Sequence, residues 1–187
     1  MKRQFNYTVM KMYFTIMLSV LLNGGNLYSQ VYTTESGKAR FEASMPLNSY
    51  TGQSDQLQGK INIKTGEVEF SLPVKSIKTG NDKRDEHMYE LLEIQENPKV
   101  TFKGKLLNNY DLQQGKQVVK VKGGFTLAGT TRQVTIEGTL EPVEEGLKLS
   151  ASWSLLITDY GLERPSITFI KVDDKHELSI NDVLTKK

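Results

Sequence analysis

The 187-residue chain contains no cysteine. That one absence excludes disulfides, thiolate zinc sites, iron–sulfur clusters and a cysteine nucleophile. It also has no strong excess of either charge, with 24 Lys and Arg against 22 Asp and Glu. A balance so close gives phosphate backbones nothing to attract, so nucleic acid is not an expected partner. Composition is unbiased at 37% hydrophobic and 25% charged, which excludes collagen-like, mucin-like and acidic disordered chains. The sequence holds no Gly-x-Ser-x-Gly elbow, phosphate-binding Walker loop or Gly-x-Gly-x-x-Gly dinucleotide turn. Its longest uncharged apolar run, Met12 to Leu22, is too short for a membrane-spanning helix of ~20 residues.

That run follows Lys2, Arg3 and Lys11, precedes a polar stretch ending at Ser29, and has no acidic residue before Glu35. Basic start, short apolar centre and small residue read as a secretory signal peptide over 1–29, with the working domain over 30–187. Its removal leaves 21 basic and 22 acidic residues, a net charge of −1. The expectation is an exported protein, periplasmic or extracellular, with no stable membrane anchor and stabilised by packing alone.

Beyond residue 30 a period of two dominates. Leu147, Leu149, Ala151, Trp153, Leu155 and Ile157 share one face against Lys148, Ser150, Ser152 and Ser154. Phe41 with Ala39 and Ala43, Phe70 with Val68 and Leu72, and Phe102 with Val100 and Leu106 continue the pattern. Val119, Val121, Phe125 and Leu127 form a further face, as do Val134, Ile136 and Leu140, and then Leu178 and Ile180. Such alternation marks half-buried strands. Turn signals at Thr65-Gly66, Asn108-Asn109, Gln114-Gly115, Ala128-Gly129 and Glu145-Gly146 separate them. The pattern predicts an all-β domain of about eight antiparallel strands closed into a barrel, which removes exposed edges. One segment, 85–93, breaks the period: Met88, Leu91 and Leu92 fall at helical spacing behind acidic residues, predicting a short helix.

Chemistry-bearing clusters are few. His87 stands among Asp82, Asp85, Glu86 and Glu90, and residues 87 and 90 share a helix face, a partial zinc set lacking a third ligand. Solvated charges on a short helix explain the same cluster. The aromatics Phe41, Phe70, Phe102, Phe125 and Trp153 lie on apolar faces, not interleaved with cations as nucleic-acid binding needs. A barrel of this size either fills itself with side chains or holds one small ligand.

Three blocks in order carry a family likeness: Ser76-Ile77-x-Thr79-Gly80, Arg84-Asp85-Glu86-His87-Met88 and Pro98-x-Val100-Thr101-Phe102. Gly124-Phe125-Thr126-Leu127-x-Gly129-Thr130-Thr131 and Asp159-Tyr160-Gly161-Leu162 follow. Together they resemble the YceI-like family of bacterial exported lipid-binding proteins, over roughly residues 31–181. The resemblance implies an extended, lipocalin-like antiparallel eight-stranded β-barrel whose apolar channel takes a polyisoprenoid or another long amphiphile. It also implies a non-catalytic carrier or sequestering protein with no cofactor. The ligand would lie along Phe41, Phe70, Phe102, Phe125, Leu127, Trp153, Leu155 and Ile157. The motif residues Ser76, Asp85, His87, Asp159 and Gly161 are expected to be structural, their polar groups satisfying backbone at the barrel ends. This chain has Thr158 where the family often carries Arg, and no histidine near the end of its first long strand. A filled structural or stress-related barrel acting through protein partners is one rival; a metal protein or enzyme around His87, Glu86 and Glu90 is another. Monomer and homodimer are equally compatible with the pattern.

Overall fold

The alternating segments become strands long enough to wrap once around a common axis. The computed structural model of the chain describes residues 30–46, 48–167 and 170–187, so the 1–29 leader lies outside the described residues. The barrel strands are β1 (Val31–Met45), β2 (Asn48–Asn62), β3 (Glu67–Pro73), β4 (Lys99–Leu106), β5 (Gln117–Leu127), β6 (Thr130–Val143), β7 (Gly146–Leu156) and β10 (Lys175–Lys186). All pair antiparallel with their chain neighbours, and β10 closes the ring between β7 and β1. The expected lipocalin-like barrel is therefore the observed one. A two-stranded ribbon, β8 (Ser166–Ile167) with β9 (Ile170–Lys171), stands apart from it.

The hairpin between β5 and β6 closes with only two residues. At Ala128-Gly129 both residues have positive φ (45° and 72°), matching the twist of the flanking strands. The helix, α1 (Asp82–Leu91), begins and ends earlier than the 85–93 expected from its apolar spacing. Asn81 is the reason: its side chain accepts the Arg84 N–H at 3.0 Å and caps the first turn. Ile157 also leaves its strand. It opens a single 3-10 turn, Ile157–Tyr160, that ends on Gly161 with φ of 78°.

The two barrel ends differ. The β2–β3, β4–β5 and β6–β7 connections gather at one end, where Tyr32, Tyr110, Leu147 and Leu184 are buried and pack as a floor. The opposite end carries α1, the 3-10 turns and the β8–β9 ribbon. Polar residues such as Lys148, Ser152 and Ser154 face out from β7, while Leu147, Leu149 and Leu155 are buried on its inner face.

Candidate functional site

The inward faces do not fill the barrel. They enclose a cavity of about 450 Å³, within the range of pockets for small organic ligands. Each barrel strand supplies part of its wall, for example Phe41 from β1, Leu57 from β2, Ile136 from β6 and Leu178 from β10. Phe41, Phe70, Phe102, Phe125, Leu127, Trp153, Leu155 and Ile157 all border this one space. Phe125 meets Trp153 and Tyr160 edge-on, with ring centroids 6.0 and 5.9 Å apart. Tyr32, Tyr110, Leu147 and Leu184 border none of it, so the floor is solid beneath an open interior.

The motif residues sit at the other end and anchor its cover. Asp85 is buried, and accepts from the Thr79 N–H at 2.9 Å and the Thr79 hydroxyl at 2.6 Å, with Lys78 Nζ 3.6 Å away. Burial opposes its ionisation, yet these Thr79 bonds and the lysine charge outweigh it and hold the carboxyl below its ordinary range. Ser76 Oγ donates to the Pro73 carbonyl at 2.6 Å and pairs with Ser54 Oγ at 2.7 Å, fastening the 3-10 turn Val74–Ser76 to β2. Reciprocal backbone bonds of 2.9 Å between Gln53 and Lys78 extend that fastening. The Tyr89 hydroxyl lies 2.9 Å from the Ile77 carbonyl and docks α1 on the same segment. Gly161 and Asp159 shape the second cover: the Asp159 carbonyl accepts from Arg132 Nε at 2.6 Å. Thr158 donates its hydroxyl to Asp174 Oδ2 at 2.7 Å.

Docking α1 this way turns Arg84, His87, Met88 and Leu91 toward the cavity, while Glu86 and Glu90 do not border it. Among the described residues no group of three or more His, Asp or Glu side chains could hold a metal ion. Arg84 stacks its guanidinium 4.4 Å from the centroid of the Tyr50 ring. Tyr50 meets Phe41 edge-on at 6.1 Å, and Phe41 stacks on His176 at 5.9 Å. Burial pushes the Tyr50 hydroxyl upward against the opposing pull of Arg84. Burial likewise pushes the His176 imidazole down, against the Asp174 carboxylate and a hydrogen bond with the Asp173 backbone. His176 Nε2 and Trp153 Nε1 are buried with no hydrogen-bond partner among the described residues.

Arg84, His176 and Tyr50 are among the wall residues that the sequence reading of the site did not include. Arg84 precedes Met88 and Leu91 by four and seven residues, so helical spacing alone places it on their face. His176 shares the parity of Leu178 and Ile180 on β10. Tyr50 had no such signal, because glycines interrupt the apolar face of β2.

Residues 31–184 match the family model of the YceI-like domain. Among solved structures, a polyisoprenoid binding domain from Saccharophagus degradans implicated in plant cell wall breakdown superposes with a TM-score of 0.69 at 15% identity, covering 84% of this chain and 99% of that one. Burkholderia cenocepacia BcnA gives 0.66 at 14% identity, covering 81% and 96%. A Campylobacter jejuni YCEI protein gives 0.53 at 16% identity, covering 85% of each chain. Likeness at this identity concerns the fold. Comparison with curated proteins gives no match. With its closed eight-stranded barrel, its open apolar interior and a family match across nearly every barrel residue, the chain belongs to the YceI-like domain family.

Proposed function

We propose that this is an exported, non-catalytic binding protein that carries or sequesters a polyisoprenoid or another long-chain amphiphile inside the barrel. The observation that carries this reading is the wall itself: an enclosed space bordered by aliphatic and aromatic side chains from every barrel strand. Such a wall gains ~0.8 kcal/mol for each CH₂ it removes from water, so long tails bind better than short ones. The floor beneath it is solid, so a tail lying inside would keep its head toward the end that carries α1. The Saccharophagus degradans relative, described as a polyisoprenoid binding domain, supports the choice of ligand class. The basic start and apolar core of residues 1–29 support export.

Trp153 borders the cavity and reports on it. Titration with geranylgeraniol is expected to change its fluorescence saturably, and Ala151→Phe, which fills the space beside it, is expected to weaken binding at least tenfold. A flat titration with the unsubstituted protein would remove the proposal. Export is checked separately: mass spectrometry of the cell-envelope protein is expected to find a new N-terminus near residue 30.

A further inference from the structure

One stretch of the barrel wall has no backbone ladder. Pairing between β6 and β7 stops at Gly138 opposite Ala151, yet both strands run on toward the end that carries α1. Residues 130–137 of β6 pair only with β5, and residues 152–156 of β7 only with β10. The two strands therefore part as a fork, each held from behind and neither by the other. A groove lies in the fork on the outer surface, with Arg132, Gln133 and Val134 along one bank and Ser154, Leu155 and Leu156 along the other. Leu155 also borders the cavity, so groove and interior meet at that side chain.

Side chains close the fork where the ladder does not. Phe125 of β5 meets Trp153 of β7 across it, and meets Tyr160 of the turn Ile157–Tyr160 at its top. That turn is tied to the β10 side, because Asp174 accepts from the Thr158 N–H at 3.0 Å and from the Thr158 hydroxyl. To β6 it is joined by one hydrogen bond among the described residues, from Arg132 Nε to the Asp159 carbonyl. The α1 cover is fastened more heavily. Asp85 and Tyr89 bind the helix to residues 77–79, and Ser76 with the two Gln53–Lys78 backbone bonds joins that segment to β2. Regions with few backbone bonds to their neighbours open at the lowest cost, which favours the fork over the helix.

We propose that the ligand enters and leaves the barrel through this fork, with the turn Ile157–Tyr160 as its strap, and not past α1. Opening carries the turn away from β6 together with β7 and β10. It breaks the Arg132 bond and parts Phe125 from Trp153 and Tyr160. A long tail then passes sideways through the wall instead of being threaded end-on. This rests on the tail-binding reading above and adds the route by which that site fills.

The test ties the fork shut. The chain has no cysteine, so an introduced pair is bridged selectively. Gln133 and Leu156 are exposed, stand on opposite banks of the groove and do not border the cavity. In Gln133→Cys/Leu156→Cys a flexible bis-maleimide with a cleavable disulfide linker spans the two. Stopped-flow Trp153 fluorescence reads uptake of geranylgeraniol, and transfer to excess phospholipid vesicles reads its release. Bridging is expected to slow both about tenfold or more with Kd nearly unchanged, since a gate alters the barrier and not the end states. Reductive cleavage of the linker is expected to restore both rates. Arg132→Ala is expected to raise both about threefold or more, through loss of one partly exposed charge-assisted bond. Uptake at the unbridged rate in the bridged protein would overturn the route while leaving tail binding intact. So would exchange that quickens in Asp85→Asn and not in Arg132→Ala. If geranylgeraniol leaves Trp153 of the unsubstituted protein unchanged, the tail-binding reading fails and takes this one with it.

Discussion

The Phe41 ring occupies the space that a side chain on Gly52 would need. The two residues face each other across β1 and β2, and a methyl group on Gly52 would overlap the ring edge. Phe70 covers Gly59 in the same way across β3 and β2. Each ring leans over the neighbouring strand instead of crossing the lumen, which keeps large aromatics in the wall and the interior open. Gly52→Ala is therefore expected to cost ~1–3 kcal/mol by overpacking. Combining it with Phe41→Leu is expected to cost less than the two changes added, by more than ~0.5 kcal/mol. Denaturant midpoints of the four proteins check this, and strict additivity would show that the ring is not what excludes the side chain.

Asp85 holds the cover over the barrel. Its carboxyl lies below the ordinary range in the folded protein, so its contribution is complete above about pH 4, the unfolded value, and is lost as pH falls through the lowered native value. Asp85→Asn keeps an acceptor for Thr79 but loses the charge, and is expected to cost ~1–3 kcal/mol at pH 7. Urea unfolding from pH 7 to pH 3 is expected to narrow the gap between the two proteins. A constant gap would assign the loss to shape alone.

His176 acts in the opposite chemical sense with the same pH direction. Burial lowers its native value beneath the ordinary 6.5, so the unfolded chain takes up its proton first. Stability is thus full above about pH 6.5 and declines as pH falls toward the native value. His176→Leu removes a buried Nε2 that has no partner among the described residues, but also the ring's hydrogen bond with the Asp173 backbone. It is expected to raise Tm by a few degrees at pH 5.5 and by less at pH 7.5, where the lost Asp173 bond offsets the gain. A variant less stable than its parent at both values would mean that the imidazole is satisfied.

Alternation made the barrel legible in the sequence wherever the inward face was filled by its own side chains. Leu149, Ala151, Trp153 and Leu155 declared β7 plainly, and they line the cavity together. β2 was not legible. Its inward positions include Gly52, Gly59 and Ser54, and the register slips between Gly37 and its neighbours, so no apolar period survives. The missing bulk is supplied by Phe41 and Phe70 from adjacent strands, a relation that only pairing reveals. For the same reason Tyr50 stayed hidden. The place of α1 over the mouth was equally invisible, since it depends on Asp85, Ser76 and Tyr89 reaching a segment that pairs with β2.

The central claim is that a tail occupies the barrel, and the most direct measurement is of what the protein already holds. The protein is purified from its native host without added lipid, extracted with organic solvent, and the extract weighed against protein by mass spectrometry. A near-equimolar amount of one class of long-chain amphiphile is the expected result. A lipid-free extract, from protein whose Trp153 fluorescence also ignores added isoprenoid, would contradict it.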